Sequence, residues 1–159
     1  MANEGSHFFQ MPEISLCFLS FFLNFFWEVA QTYFYTMKDS SFNTMLYGWI
    51  HCTLGDVILT MVSFWTVSLI SRNRRWLLRL TPSNFISFIM LGLVYTVISE
   101  RLNVYIFESW AYDESMPLIP WIKVGVAPFL QWIVIPPMAI LLVRHHLLLR
   151  QELEEIKSR

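Results

Sequence analysis

Residues 14–36 read ISLCFLSFFLNFFWEVAQTYFYT, and this stretch decides the fold. It is apolar for longer than the about 20 residues a helix needs to cross a bilayer at 1.5 Å rise each. It is nevertheless interrupted by Asn24, Glu28 and Gln31. A polar group inside a span is costly and faces the interior of a helical bundle rather than lipid. The spacings of 4, 3 and 4 from Asn24 through Glu28 and Gln31 to Tyr35 make one continuous helical stripe. The segment therefore predicts a membrane helix with one polar face.

Three further stretches, about residues 44–70, 83–107 and 126–147, have the same character. The expected fold is all-α, a four-helix transmembrane bundle formed by residues 1–159 as a single membrane domain. Composition agrees: the chain is 55% hydrophobic, 17% aromatic and 14% charged, against about 25% charged residues in an average soluble domain. No alternation of period two suggests a β-barrel. The 12 acidic and 11 basic residues nearly cancel, so no basic field invites nucleic acid. Residues 14–36 lack the basic leader and small-residue cleavage site of a signal peptide. Cys17 and Cys52 lie inside apolar runs and read as small buried hydrophobes, not as a disulfide framework.

Loop charges predict the orientation. Residues 71–80, SRNRRWLLRL, hold Arg72, Arg74, Arg75 and Arg79, and the C-terminal tail holds Arg144, Arg150, Lys157 and Arg159. The other two connections hold only Lys38 and Lys123 beside several acids. The positive-inside rule then puts the middle loop and both termini in the cytoplasm. Tyr33, Tyr35 and Tyr47 are expected at the outer interface and Trp76 at the inner one. Residues 108–124 contain Trp110, Tyr112 and Trp121, and Pro117 and Pro120 bar a regular helix there. They read as an outer interfacial strap between the third and fourth helices. Pro136 and Pro137 predict a kink in the fourth. The tail reads as a solvated helical end, with His145 and His146 at the inner boundary.

The ionisable groups inside the spans are Glu28, His51, Asp56, Glu100 and Arg101. Counted from the outer ends at about 1.5 Å per residue, Glu28 lies about 12 Å deep, His51 and Glu100 about 10 Å, and Gln131 about 8 Å. Asp56 falls deeper, at roughly 18 Å. All four helices thus place a polar side chain at similar depth, with Tyr47, Asn103, Trp110 and Tyr112 nearby as further binding candidates. Bland readings stand beside this one. Arg101 either faces a ligand or pairs with Glu28 or Glu100. His51 is either a proton acceptor or a core histidine bonded to Glu or Tyr, and Asp56 either joins the site or completes a local network with Thr53 or Thr60.

The runs LNFFWEVAQ (23–31), His51 to Asp56 as H-x4-D, and Ser99 to Asn103 as S-E-x-x-N resemble a group of uncharacterised bacterial four-span inner-membrane proteins. So do WAYDESMP (110–117) and LQWIVIP (130–136). The resemblance covers about residues 20–140 and implies architecture, not activity; the position of Arg101 is more often aromatic in that group. In architecture alone the chain is also similar to EXPERA-type membrane proteins, and its Trp27–Glu28 pair to membrane-embedded terpene cyclases.

The function expected is binding of a lipid or isoprenoid at the outer-leaflet polar layer. Acid–base chemistry there would use Glu28 or Glu100 as general acid and His51 as proton acceptor. The alternative is a small proton-coupled transporter or a subunit of a larger membrane complex, which four spans favour only as an oligomer. No metal ligand set of H-x-x-x-H or E-x-x-H type is present, nor a P-loop, a dinucleotide-binding glycine pattern or a G-x-S-x-G elbow. No cofactor is expected. Membrane lipids and a hydrophobic small molecule are the expected partners, with a homo-oligomer as a further possibility.

Overall fold

A computed structural model describes residues 11–158. Helix α1 spans Pro12–Gln31, α2 Phe42–Ile70, α3 Pro82–Tyr105 and α4 Val126–Ser158. All four are long and apolar enough to cross a membrane, which supports a membrane protein. Their starts follow local chemistry. Ser41 accepts from the Thr44 N–H and Thr81 from the Asn84 N–H, each capping a first turn, and proline opens α1 and α3 where its missing N–H costs nothing.

Successive helices alternate in direction and each packs on two neighbours, so α1, α2, α3 and α4 close a square. The connection after α2 and the described chain ends lie at one end. There Arg74 forms an ion pair with Glu13. The 32–41 and 106–125 connections lie at the other end. The N-terminal tail, whose cytoplasmic side was expected from topology, lies outside the described residues.

The two ends differ in chemistry. At the terminal end Leu16, Phe64, Val67, Phe88 and Ile140 form a closed apolar core. Trp76 belongs to this core too. It is fully buried, its indole N–H donates to the Phe64 carbonyl at 3.3 Å, and its ring lies against Phe64 and Phe88. The expected interfacial Trp76 is thus corrected: the 71–80 segment folds beneath the bundle and plugs it, satisfying the polar edge from within.

At the strap end, α1 runs on into two short 3₁₀ turns, Thr32–Phe34 and Thr36–Asp39. The strap is tied to them. Thr36 N–H donates to Ala111 O at 3.1 Å, Asp113 N–H donates to Phe34 O at 2.9 Å, and Lys38 pairs with Asp113 at 2.7 Å. Trp121 points outward, 92% exposed, as an interfacial anchor would. Among the described residues there are no strands, only isolated bridges such as Tyr35 with Tyr112.

Two details of packing set the site. Gly92 lets α4 approach α3, because a Cβ there would overlap the indole of Trp132. Helix α4 passes through Pro136 and Pro137 as one continuous element, and it continues past residue 147 into the exposed tail.

Candidate functional site

Between the apolar core and the strap lies a cavity of about 530 Å³, within the range of small-molecule sites. Helices α1 and α4 form its buried back wall through Glu28, Gln31, Gln131 and Trp132. Helices α2 and α3 form its lips through Tyr47, His51, Gly55, Tyr95, Ser99 and Asn103. Tyr47 is 70% exposed and Tyr95 55%, and no atom lies within 4 Å of where a Cβ on Gly55 would sit. The cavity is therefore open sideways between α2 and α3.

Its floor is one hydrogen-bond network. The Gln131 side-chain NH₂ reaches Asn24 Oδ1 at 3.0 Å, Glu28 Oε1 at 3.1 Å and Asp56 Oδ2 at 2.8 Å. Gln31 donates to Glu28 at 2.8 Å and to Gln131 Oε1 at 3.4 Å, and itself accepts from the Trp27 indole at 3.1 Å. Asn24 turns its own NH₂ to the Ser20 carbonyl at 2.9 Å. Helical direction explains why Asp56 takes part although its residue count puts it deeper. Side chains tilt toward a helix N-terminus, so α2 lifts Asp56 toward the strap while α1 lowers Glu28 to meet it.

The roof is built on Glu100. Its Oε2 accepts from Tyr112 OH at 2.5 Å and, more weakly, from Tyr35 OH at 3.5 Å. The Gly125 N–H donates to Tyr112 OH at 3.0 Å, fixing that phenol from the strap. Burial, reinforced by Glu100, pushes both phenols above the usual tyrosine range, so they stay protonated donors. Trp110 closes the same side.

The structure thus brings Glu28, Gln31, Tyr47, His51, Asp56, Glu100, Asn103, Trp110 and Gln131 onto one cavity, with Asn24 and Tyr112 bonded directly behind it. His51 lies on the lip, stacked face to face on Tyr47 with centroids 5.8 Å apart. Asn103 donates to the Ser99 carbonyl at 2.9 Å. Arg101 stands apart: it is exposed, and its guanidinium donates to the Ile122 carbonyl at 2.8 Å. It pins the strap from outside and pairs with neither Glu28 nor Glu100.

Thr96 went unnoticed in the sequence. It is 7% exposed, lines the cavity one turn before Glu100, and among the described residues its hydroxyl makes no hydrogen bond. The i, i+4 spacing to Glu100 was the available signal. Cys52 also lines the wall rather than serving only as packing. Among the described residues no group of three His, Cys, Asp or Glu side chains is disposed to hold a metal ion.

Chemically, the arrangement offers an acidic pocket with aromatic sides and a lateral mouth within a membrane-sized bundle. No family model matches this chain, and no protein of described function and no solved structure matches it.

Proposed function

We propose that this protein binds a membrane lipid or isoprenoid, with the polar end of the ligand seated among Glu28, Asp56, Glu100 and Gln131 in the outer leaflet. The observation that carries the reading is the lateral mouth. A cavity with a polar floor that opens between α2 and α3 suits a molecule that is polar at one end and apolar along the rest. The rim is apolar, with Ile50, Leu54, Val94 and Ile98 all exposed, so a chain leaving the mouth continues into lipid. If the bound molecule is transformed, Glu28 or Glu100 is the proton donor and His51, on the lip, the acceptor.

Transport is less well supported. A route across the bundle would have to pass the closed core of Leu16, Phe64, Trp76 and Ile140.

The test is the lipid content of the protein purified from its membrane in a mild detergent, followed by mass spectrometry of the extract. One lipid species is expected to be enriched over bulk membrane and depleted in Glu28→Gln. An extract identical to bulk lipid in both proteins overturns the reading.

A further inference from the structure

The cavity wall has an uneven inventory of charge. Three carboxyl side chains, Glu28, Asp56 and Glu100, line it, and no lysine or arginine does. The nearest cationic side chains are committed elsewhere: Arg101 to the Ile122 carbonyl and Lys38 to Asp113. The one basic group on the wall is His51, held against Tyr47 at the lip.

Donors are short as well. The Gln131 amide has two hydrogens for three oxygens, those of Asn24, Glu28 and Asp56. Across the cavity Thr96, a residue 7% exposed, lines the same wall, and among the described residues its hydroxyl makes no hydrogen bond. Carboxyls drawn into a membrane interior without a cation or enough donors are expensive, so what completes this site brings both positive charge and N–H groups. The sides fit such a group, since Tyr47 and Trp110 line the same space and aromatic rings attract ammonium ions.

We propose that the ligand is an amphiphile with an ammonium headgroup, which enters between α2 and α3 past Gly55 and sets its nitrogen among Asp56, Glu28 and Thr96. An anionic headgroup adds acceptors to a wall already short of donors, and a neutral alcohol supplies one hydrogen where several acceptors wait. This inference rests on the reading of the cavity as a lipid site and specifies its chemistry.

Two photoactivatable probes distinguish the parts. Both carry the same diazirine-bearing twelve-carbon chain (about the thickness of one leaflet's hydrocarbon layer), one ending in a primary amine and the other in a hydroxyl. The full chain in non-ionic maltoside micelles is irradiated with each, and labelled peptides are mapped by mass spectrometry. The amine probe is expected to label the lips of α2 and α3, with dodecylamine but not dodecanol competing. Asp56→Asn is expected to cut that labelling at least about tenfold, because a charge-assisted bond is lost. Thr96→Val, which removes only a hydroxyl and keeps the shape, is expected to cut it about threefold. It keeps the test decisive if Asp56→Asn does not fold. Equal, mutually competing labelling by both probes overturns the ammonium headgroup and leaves the lipid site standing. Labelling of the lips by neither probe overturns both. Labelling by the amine that Thr96→Val and every folded carboxyl variant leave unchanged overturns the placement of the nitrogen.

Discussion

Gln131 joins more of the molecule than any other single side chain. Its NH₂ contacts oxygens from α1 and α2, and its own oxygen accepts from Gln31. It is 3% exposed, so nothing from solvent replaces it. Gln131→Leu keeps the volume roughly and deletes every one of these bonds, leaving Glu28 and Asp56 without their shared donor. A loss of about 2 to 3 kcal/mol is expected, the cost of orphaning buried acceptors, read as a lowered Tm in detergent. An unchanged Tm would mean that the carboxyls find other donors and that the network is incidental to stability. The polar residues of α1 were legible at this scale because the helical period alone puts Asn24, Glu28 and Gln31 on one stripe, and all three are buried. Tyr35, expected on the same stripe, is buried too but lies beyond the helix, between the two 3₁₀ turns. Arg101 was not legible. Its destination, a backbone carbonyl in the strap, depends on how an irregular segment folds back, and no periodicity encodes that. Thr96 escaped because a lone threonine in an apolar run carries no cost large enough to single it out.

The strap is the element on which the cavity roof depends. It meets the α1–α2 connection through two backbone hydrogen bonds and one ion pair, and it carries the phenol that holds Glu100. Asp113 is held down to about 2 by the Lys38 side chain and by the N–H and hydroxyl of Ser115. The Lys38 ammonium is correspondingly raised above the usual lysine range by Asp113. Because the folded value of Asp113 lies below the ordinary aspartate value of 3.8, its contribution to docking is complete above about pH 4 and is lost as the pH falls through about 2. Amide hydrogen exchange, corrected for its intrinsic pH dependence, reads this directly. Protection of the Thr36 and Asp113 amides is expected to be constant from neutral pH down to about 4 and to fall below it. Asp113→Asn is expected to flatten that dependence, and a pH-dependent loss that persists in the variant would assign it to another group. The prolines and the mixed aromatic–acidic composition predict that this segment is not a helix. They do not predict its ties, two of which are backbone bonds open to any sequence, nor the turning of Trp76 at the opposite end into the core. An indole suits an interface and a buried carbonyl equally well, and only the path of the 71–80 loop decides between them.

At the scale of the whole molecule, the bundle has a closed apolar half and an open polar half, and which half faces outward decides whether the cavity meets the outer or the inner leaflet. The charges argue for outward. The connection at the closed end holds four arginines, Arg72, Arg74, Arg75 and Arg79, and α4 carries Arg150 and Lys157 out beyond the same end, with Arg144 level with the last turn of the core. The strap end holds two lysines, one of them neutralised by Asp113, and Arg101, which is tied to the Ile122 carbonyl. Cationic loops resist translocation, and acidic residues count little in that balance. Of the four arginines Arg74 has a defined tertiary role, in its pair with Glu13 and its position over the Trp65 ring. A fluorescent protein joined after Arg159 is therefore expected to light up in the cytoplasm, whereas a phosphatase that works only after export is expected to be inactive there and active when inserted beside Trp121. The reverse pattern would place the cavity mouth in the inner leaflet and redirect the search for its ligand. Replacing Arg72, Arg75 and Arg79 with Gln removes charge without touching the Glu13 pair, so any mixed topology that results is attributable to charge rather than to a broken fold. The C-terminal basic residues are expected to keep the majority of molecules correctly oriented, because α4 retains its own vote at the same end.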